Sequence, residues 1–351
     1  MKRYLRIFKE SLLFIYGVIF YLVSGKSTFK GYRALVLLFC LTQGKSNVLF
    51  QKVIGFFKPK LQLDTANGIL GKLDSRQIQN IARQVIENGY FVLPQQLSKD
   101  VCQKIIEQSL ATPVFIRKTD EQAEEDPNSP RKRTYYPRLN PEGVRYEYAS
   151  IELLEIPEIQ KLVADETLLA VANEYLATRP ILDLVEMWWH TAFGDKPDLN
   201  AAQLYHFDMD RISWIKFFFY LTPVTTETGP HCFVAKSHRP GAISSELLDK
   251  GYVRLTDAEV SQHFPTQSMI EFVADQGTII IEDTRGLHKG KHCQKGDRLM
   301  FEIQFSSSLF GTPHIKHERF PINKIVDNKL IEHFKINNRS YSSFLKFDEK
   351  T

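Results

Sequence analysis

Tyr205-His206-Phe207-Asp208-Met209-Asp210 and, further along, Asp283-Thr284-Arg285-Gly286-Leu287-His288-Lys289-Gly290 bound the part of this 351-residue chain whose reading decides its fold. In an extended strand, residues i and i+2 project from one face. His206 and Asp208 therefore point the same way, an imidazole and a carboxylate within reach of a single ion. His288, delivered from a distant strand, completes a face of two histidines and one carboxylate. That ligand set leaves coordination positions open and suits Fe(II) in non-haem sites.

The flanking sequence supports strands on both sides. Trp214-Ile215-Lys216-Phe217-Phe218-Phe219-Tyr220-Leu221 is an aromatic, apolar run of strand character. Glu227-Thr228-Gly229-Pro230 is a turn signal, and Gly277-Thr278-Ile279-Ile280-Ile281-Glu282-Asp283 is a second β-branched strand that ends just before His288. Arg298 heads a further strand, Leu299 to Phe305. A guanidinium one strand from the metal is placed to grip a dicarboxylate through its planar fork. If the Trp214 strand keeps its alternation, Lys216 points inward with Phe218 and Tyr220 and can neutralise a co-substrate carboxylate; otherwise it reaches solvent at the strand end.

These segments together resemble the phytanoyl-CoA dioxygenase family of Fe(II)/2-oxoglutarate oxygenases. The likeness rests on His206-Phe207-Asp208-Met209-Asp210, Tyr220-Leu221-Thr222, Thr228-Gly229-Pro230, Lys236-Ser237-His238-Arg239 and Asp283 to Gly290. The entry segment Asn88-Gly89-Tyr90-Phe91-Val92-Leu93-Pro94 belongs to it as well, so that it covers about residues 75 to 310. It implies a mainly β fold with flanking helices, a double-stranded β-helix (a cupin-like jelly-roll) of two sheets. It also implies that His206, Asp208 and His288 bind iron, and that Arg298 binds the distal carboxylate of 2-oxoglutarate. Dioxygen is then the second co-substrate, ascorbate a supporting reductant, and succinate and CO2 the co-products. Retention of Asp208 points to hydroxylation, since related halogenases replace that carboxylate with a small residue. The chain departs from the family at Phe207 and Gly290, where members often carry hydrogen-bonding side chains. Two other readings stand beside hydroxylation: a non-catalytic metal-binding jelly-roll module, and a metal-dependent isomerase or epimerase on the same fold.

Composition adds a second theme. A hydrophobic fraction of 43% is ordinary for a globular protein. The four cysteines, Cys40, Cys102, Cys232 and Cys293, are widely spaced, which argues against a disulfide framework and fits a reducing, cytoplasmic setting. The net charge of +4 is unevenly spread: residues 1–60 carry eleven Lys or Arg and one acid, Glu10, while the remainder has an acidic excess. Within that leader, the apolar run Leu12 to Val23 is shorter than the roughly 20 residues a membrane-spanning helix needs. No small-residue cleavage signal follows it. Basic residues interleaved with Phe, Tyr, Leu and Ile suit a segment lying on a membrane surface; the alternative is a helical cap on the domain. Leaders that bind nucleic acid are more polar than this one.

The expected organisation is an extension over residues 1–65, a dioxygenase domain over 66–315 and a tail over 316–351 with a short helix near Lys329 to Phe334. Ser75 to Asn88 reads as a helix ended by Gly89, and Ser98 as the N-cap of a helix through Leu110. Residues 117–148, charged and broken by four prolines, read as a loop, either a lid or a solvated one. Among the other histidines, His231 after Gly229-Pro230 reads as a turn residue and His238 as a hydrogen-bonding corner. His292 competes with His288 for the third ligand position, but it follows a Lys-Gly-Lys turn rather than a strand end. The substrate is expected to be a small molecule or a lipid-type compound.

Overall fold

Hydrophobic periodicity and capping chemistry set the elements of the computed structural model. It describes residues 2–63, 65–118, 132–199, 201–251, 253–313 and 318–347. Three helices open the chain: α1 (Lys2–Ser24), α2 (Phe29–Thr42) and α3 (Lys45–Phe57). A hairpin of β1 (Thr65–Gly68) and β2 (Gly71–Asp74) follows, then α4 (Ser75–Asn88). Asp74 and Gln77 form a reciprocal capping box at the start of α4, and Gly89 ends it in the left-handed region at φ 87°. Strand β3 (Tyr90–Val92) leads to α5 (Lys99–Leu110), capped by the Ser98 hydroxyl accepting from Val101 N–H.

The segment read as a loop is partly strand. Residues 119–131 lie outside the described residues, but β4 (Val114–Arg117), β5 (Arg133–Thr134) and β6 (Arg145–Glu147) pair with one another and extend the large sheet. β5 is the edge strand, while β4 and β6 are paired on both sides; the charged Arg145 of β6 lines the cavity, and Arg117 of β4 pairs with Glu147 of β6. Next come α6 (Ser150–Leu153), α7 (Pro157–Val163) and α8 (Glu166–Leu176), and then the core strands. These are β7 (Ile181–Thr191), β8 (Trp214–Tyr220), β9 (His231–Val234), β10 (Met269–Glu271), β11 (Ile279–Glu282), β12 (His288–Gly290) and β13 (Asp297–Ser306), with α9 (Ser245–Asp249) and α10 (Asp257–Ser261) between β9 and β10. The chain closes with β14 (Phe320–Pro321), α11 (Asn328–Ile336), α12 (Asn338–Tyr341) and β15 (Leu345–Lys346). Phe334, Tyr341, Phe344 and Leu345 from this last part are buried in the main core.

The strands form a double-stranded β-helix. The major sheet runs β3-β11-β8-β13-β7-β6-β4-β5 and the minor one β10-β9-β12. A bridge between His206 and His288 adds the segment before β8 to the minor sheet's edge. From β7 onward the chain thus passes to and fro between the sheets, which is the jelly-roll winding. Helices α4 to α8 cover the outer face of the major sheet through the largest core. Helix α2 covers the outer face of the minor sheet, where the Phe39 ring packs tilted against Phe207 with centroids 5.2 Å apart. Between the sheets lies a smaller cluster of Trp188, Phe218, Tyr220, Phe233, Ile280 and Met300, beside a cavity.

Candidate metal centre

His206 and His288 face each other across the end of the minor sheet. Their backbones exchange both hydrogen bonds, at 3.0 and 2.8 Å, so register fixes the two imidazoles side by side with centroids 4.2 Å apart. Asp208, one alternation further on, is held by its N–H donating to Thr284 O at 2.8 Å. Its carboxylate oxygens stand 3.7 Å from His206 Nε2 and 3.5 Å from His288 Nε2. The three ligand atoms lie within 4.8 Å of one another, all on buried residues. Phe207 alternates to the opposite face, which is why it packs on α2 and not in the cavity.

The donor set has the chemistry a cation needs. Nδ1 of His206 lies 2.9 Å from Leu204 O and Nδ1 of His288 lies 3.0 Å from Gly286 O. A carbonyl can only accept, so each Nδ1 carries the proton and each Nε2 lone pair faces inward. Burial lowers the pKa of both imidazoles and keeps them neutral. Burial alone would raise the Asp208 carboxyl, but the Lys216 ammonium, which is also its hydrogen-bond partner, holds it below the usual carboxylate range. Two neutral nitrogens and one anionic oxygen therefore converge on one point.

Lys216 does point inward with Phe218 and Tyr220, where its Nζ lies 3.1 Å from Asp208 Oδ2 and 2.9 Å from Glu302 Oε1. Arg298 is buried in the same cavity. Its guanidinium donates to Gly229 O and, at 2.8 Å, to His190 Nδ1, while its Nε has no hydrogen-bond partner among the described residues. A Cβ at Gly290 would stand 3.2 Å from this guanidinium and 3.4 Å from His190 Cε1, so the glycine leaves room for the pair. The cavity is about 220 Å³ and is walled further by Arg145, Glu186, Trp188 and Arg254.

Three wall residues were not visible as such in the sequence. His190 and Arg145 are in register with Arg298 across β6, β7 and β13, which makes one row of three inward side chains. Glu186 faces Glu302 in register, and burial together with that second carboxylate pushes Glu186 up to about 7. His231 is corrected from a turn residue to an inward residue of β9. Its Nε2 lies 2.8 Å from Glu282 Oε2. Burial, with Arg298 and Lys216 nearby, lowers the imidazole to about 3, and burial raises Glu282 to about 8, so this pair shares a proton without net charge. The turn signal Gly229-Pro230 ends one residue before the strand begins, which is what hid it. His292 bonds Gln203 Oε1 and Gly194 O, both at 3.1 Å, and stands outside the ligand cluster. His238 lies 3.0 Å from Ile86 O at the end of α4, and Arg285 closes a turn onto Asp283.

No protein-family model and no curated protein matches this chain. Solved structures do match. The epimerase SnoN in complex with Fe3+, alpha ketoglutarate and nogalamycin RO is 15% identical, over 69% of this chain and 89% of that one, with a TM-score of 0.48. EctD from S. alaskensis with bound Fe is 18% identical over 71% and 83%, TM-score 0.44. HygX from Streptomyces hygroscopicus with nickel and 2-oxoglutarate bound is 17% identical over 68% and 89%, TM-score 0.42.

Proposed function

We propose that the chain is an Fe(II)- and 2-oxoglutarate-dependent oxygenase that hydroxylates an aliphatic carbon of a polar small molecule or of the polar part of a lipid. The observation that carries this reading is the convergence of His206 Nε2, His288 Nε2 and the Asp208 carboxylate in a cavity that also holds Arg298. The three ligands would hold the metal, and Arg298 the far carboxylate of the keto acid. Bound together, ferrous iron and 2-oxoglutarate supply the oxidising power, drawn from dioxygen, to hydroxylate an unactivated C–H bond with release of succinate and CO2.

The protein's own part is positioning and charge. His190 accepts from one arm of the Arg298 fork and so fixes its plane. The unpartnered Nε is a donor held ready for an anion, since a buried donor left without a partner is costly. Lys216 bridges Asp208 and Glu302 and offsets part of their negative charge beside the ligand cluster. The walls contributed by Arg145, Glu186 and Glu302 admit a substrate group rich in hydroxyl, amine or acid functions. A long bare alkyl chain would desolvate those charges without compensation.

The test is binding first and turnover second. Purified protein should bind 2-oxoglutarate only with Fe(II) present, and release succinate and CO2 with Fe(II), ascorbate and oxygen. His206→Ala should lose both. Absence of Fe(II)-dependent binding in the native protein would instead favour a non-catalytic metal-binding jelly-roll.

A further inference from the structure

Among the described residues, the N-terminal helices expose large hydrophobic side chains on their outer sides. Helix α1 is apolar on both sides. Its inner side sets Phe14 parallel to Phe50, centroids 4.1 Å apart, and edge-on to Phe310 at 5.5 Å. Its outer side repeats Leu5, Phe8, Leu12, Ile15, Ile19 and Leu22 at helical spacing, every one more than half exposed. On α3, Leu49, Val53, Phe56 and Phe57 are exposed in the same manner. Of the 24 large exposed hydrophobics among the described residues, 16 lie between Tyr4 and Phe57. A soluble surface rarely carries so large an apolar patch unless something covers it.

Charge selects what covers it. Residues 1–60 hold eleven basic side chains and a single acid, Glu10, which is itself buried. A second copy of the chain seated on this face would bring two strongly basic surfaces together. An anionic lipid surface meets the same charge with attraction and takes up the apolar stripe as well. Packing then decides how α1 sits. Arg3–Ser24 is long and apolar enough to cross a bilayer. It is nevertheless tied down at both ends: the Arg3 guanidinium donates to Leu41 O at 2.6 Å, and Gly311 N–H donates to Ser27 Oγ at 3.0 Å just beyond the helix. Midway, a Cβ at Gly17 would stand 2.6 Å from Gly31 Cα, an approach only two glycines permit. Crossing the membrane would break all of these contacts and strip Phe14 from Phe310.

We propose that α1 and α3 lie in the interface of an anionic membrane, outer stripe inward, with the jelly-roll carried above them by α2. This docking surface is independent of the iron reading. It nevertheless lies close to the candidate site, because α2 and α3 grip the segment that bears two of the ligands: Phe39 packs against Phe207, and Asn47 Nδ2, at the start of α3, donates to Ile212 O at 2.8 Å. A substrate exposed at a membrane surface would then be met by a site held next to that surface.

Sedimentation of the full-length chain with vesicles tests it. Vesicles of phosphatidylcholine mixed with phosphatidylglycerol should take down the protein about tenfold or more better than phosphatidylcholine alone. A Leu12→Glu/Ile15→Glu/Ile19→Glu variant, altered only at exposed positions, should keep its thermal unfolding midpoint and lose vesicle binding. Arg6→Glu/Lys52→Glu should lose the preference for the anionic lipid. Equal binding by the triple variant, or no binding by the native chain, overturns the proposal. A dimer of the native chain that the triple variant abolishes assigns the face to a second copy. Resistance to alkaline carbonate extraction from the membranes of producing cells shows a spanning helix, and either result also overturns it.

Discussion

Arg298 and His190 form the most informative pair of side chains in the cavity. Neither Phe207 nor Gly290 can donate a side-chain hydrogen bond, and each has a packing role instead. Phe207 serves the outer core, and the space that Gly290 leaves is taken by the His190 imidazole against Arg298. The imidazole is kept neutral by burial and by the adjacent guanidinium, so it accepts from Arg298 instead of repelling it more strongly. On the 2-oxoglutarate reading, His190→Phe keeps a ring in place but removes the acceptor. It should raise the KM for 2-oxoglutarate with little change in kcat, because it acts on uniform binding. Arg298→Lys loses the planar fork and should raise that KM further, by about tenfold to a hundredfold, the value of a charge-assisted hydrogen bond of ~1.5–3 kcal/mol. Steady-state kinetics and direct titration of 2-oxoglutarate check both variants. A fall in kcat at unchanged KM would remove the pair from co-substrate binding.

Among the elements, the join between α4 and β3 shows how tightly the local chain is built around the minor sheet. Gly89 has φ 87°, and a Cβ there would come within 2.6 Å of His238 Nδ1 and 2.7 Å of the Phe233 ring. Gly71 has nearly the same φ, 88°, with nothing within 4 Å. Gly71→Ala should therefore cost only the left-handed penalty, ~1–2 kcal/mol. Gly89→Ala adds a steric clash and should cost about 2–4 kcal/mol, seen as the larger fall in Tm by calorimetry. Equal falls would mean that Phe233 and His238 relax freely. Helix α4, the Ser98 cap and strands β8, β11 and β13 were legible in the sequence because each is specified locally, by a period of 3.6 or 2 and by capping residues. The pair His206 and Asp208 was legible for the same reason. Strands β4 to β6 were not, since prolines and charges mask strands of two to four residues. The row Arg145-His190-Arg298 depends on register between strands far apart in the chain, which no local pattern encodes.

At the scale of the whole molecule, the basic leader is both an outer surface and an inner wall. Composition separates it cleanly from the rest of the chain, but packing does not. Ala34, Leu35, Leu38 and Phe39 are buried against Phe207, Met209, Leu287 and Phe310 in one continuous cluster. Burying a side chain of this kind is worth about 1.5–3 kcal/mol, and a folded domain has only ~5–15 kcal/mol of net stability. Stripping the cover from Phe207, Met209, Leu287 and Phe310, of which Phe207 and Met209 flank Asp208 and Leu287 precedes His288, uses up most of that margin. Deletion of residues 1–60 is thus expected to give an aggregating or poorly folded chain and not a soluble jelly-roll domain. The triple glutamate variant on the outer stripe of α1 should stay monomeric and folded. Size-exclusion chromatography and thermal unfolding of the two side by side make the comparison. A truncated chain that ran as a monomer with a native Tm would show that the helices are a detachable module. It would also show that the minor sheet, with the bridge from His206 to His288 at its edge, holds its shape without them.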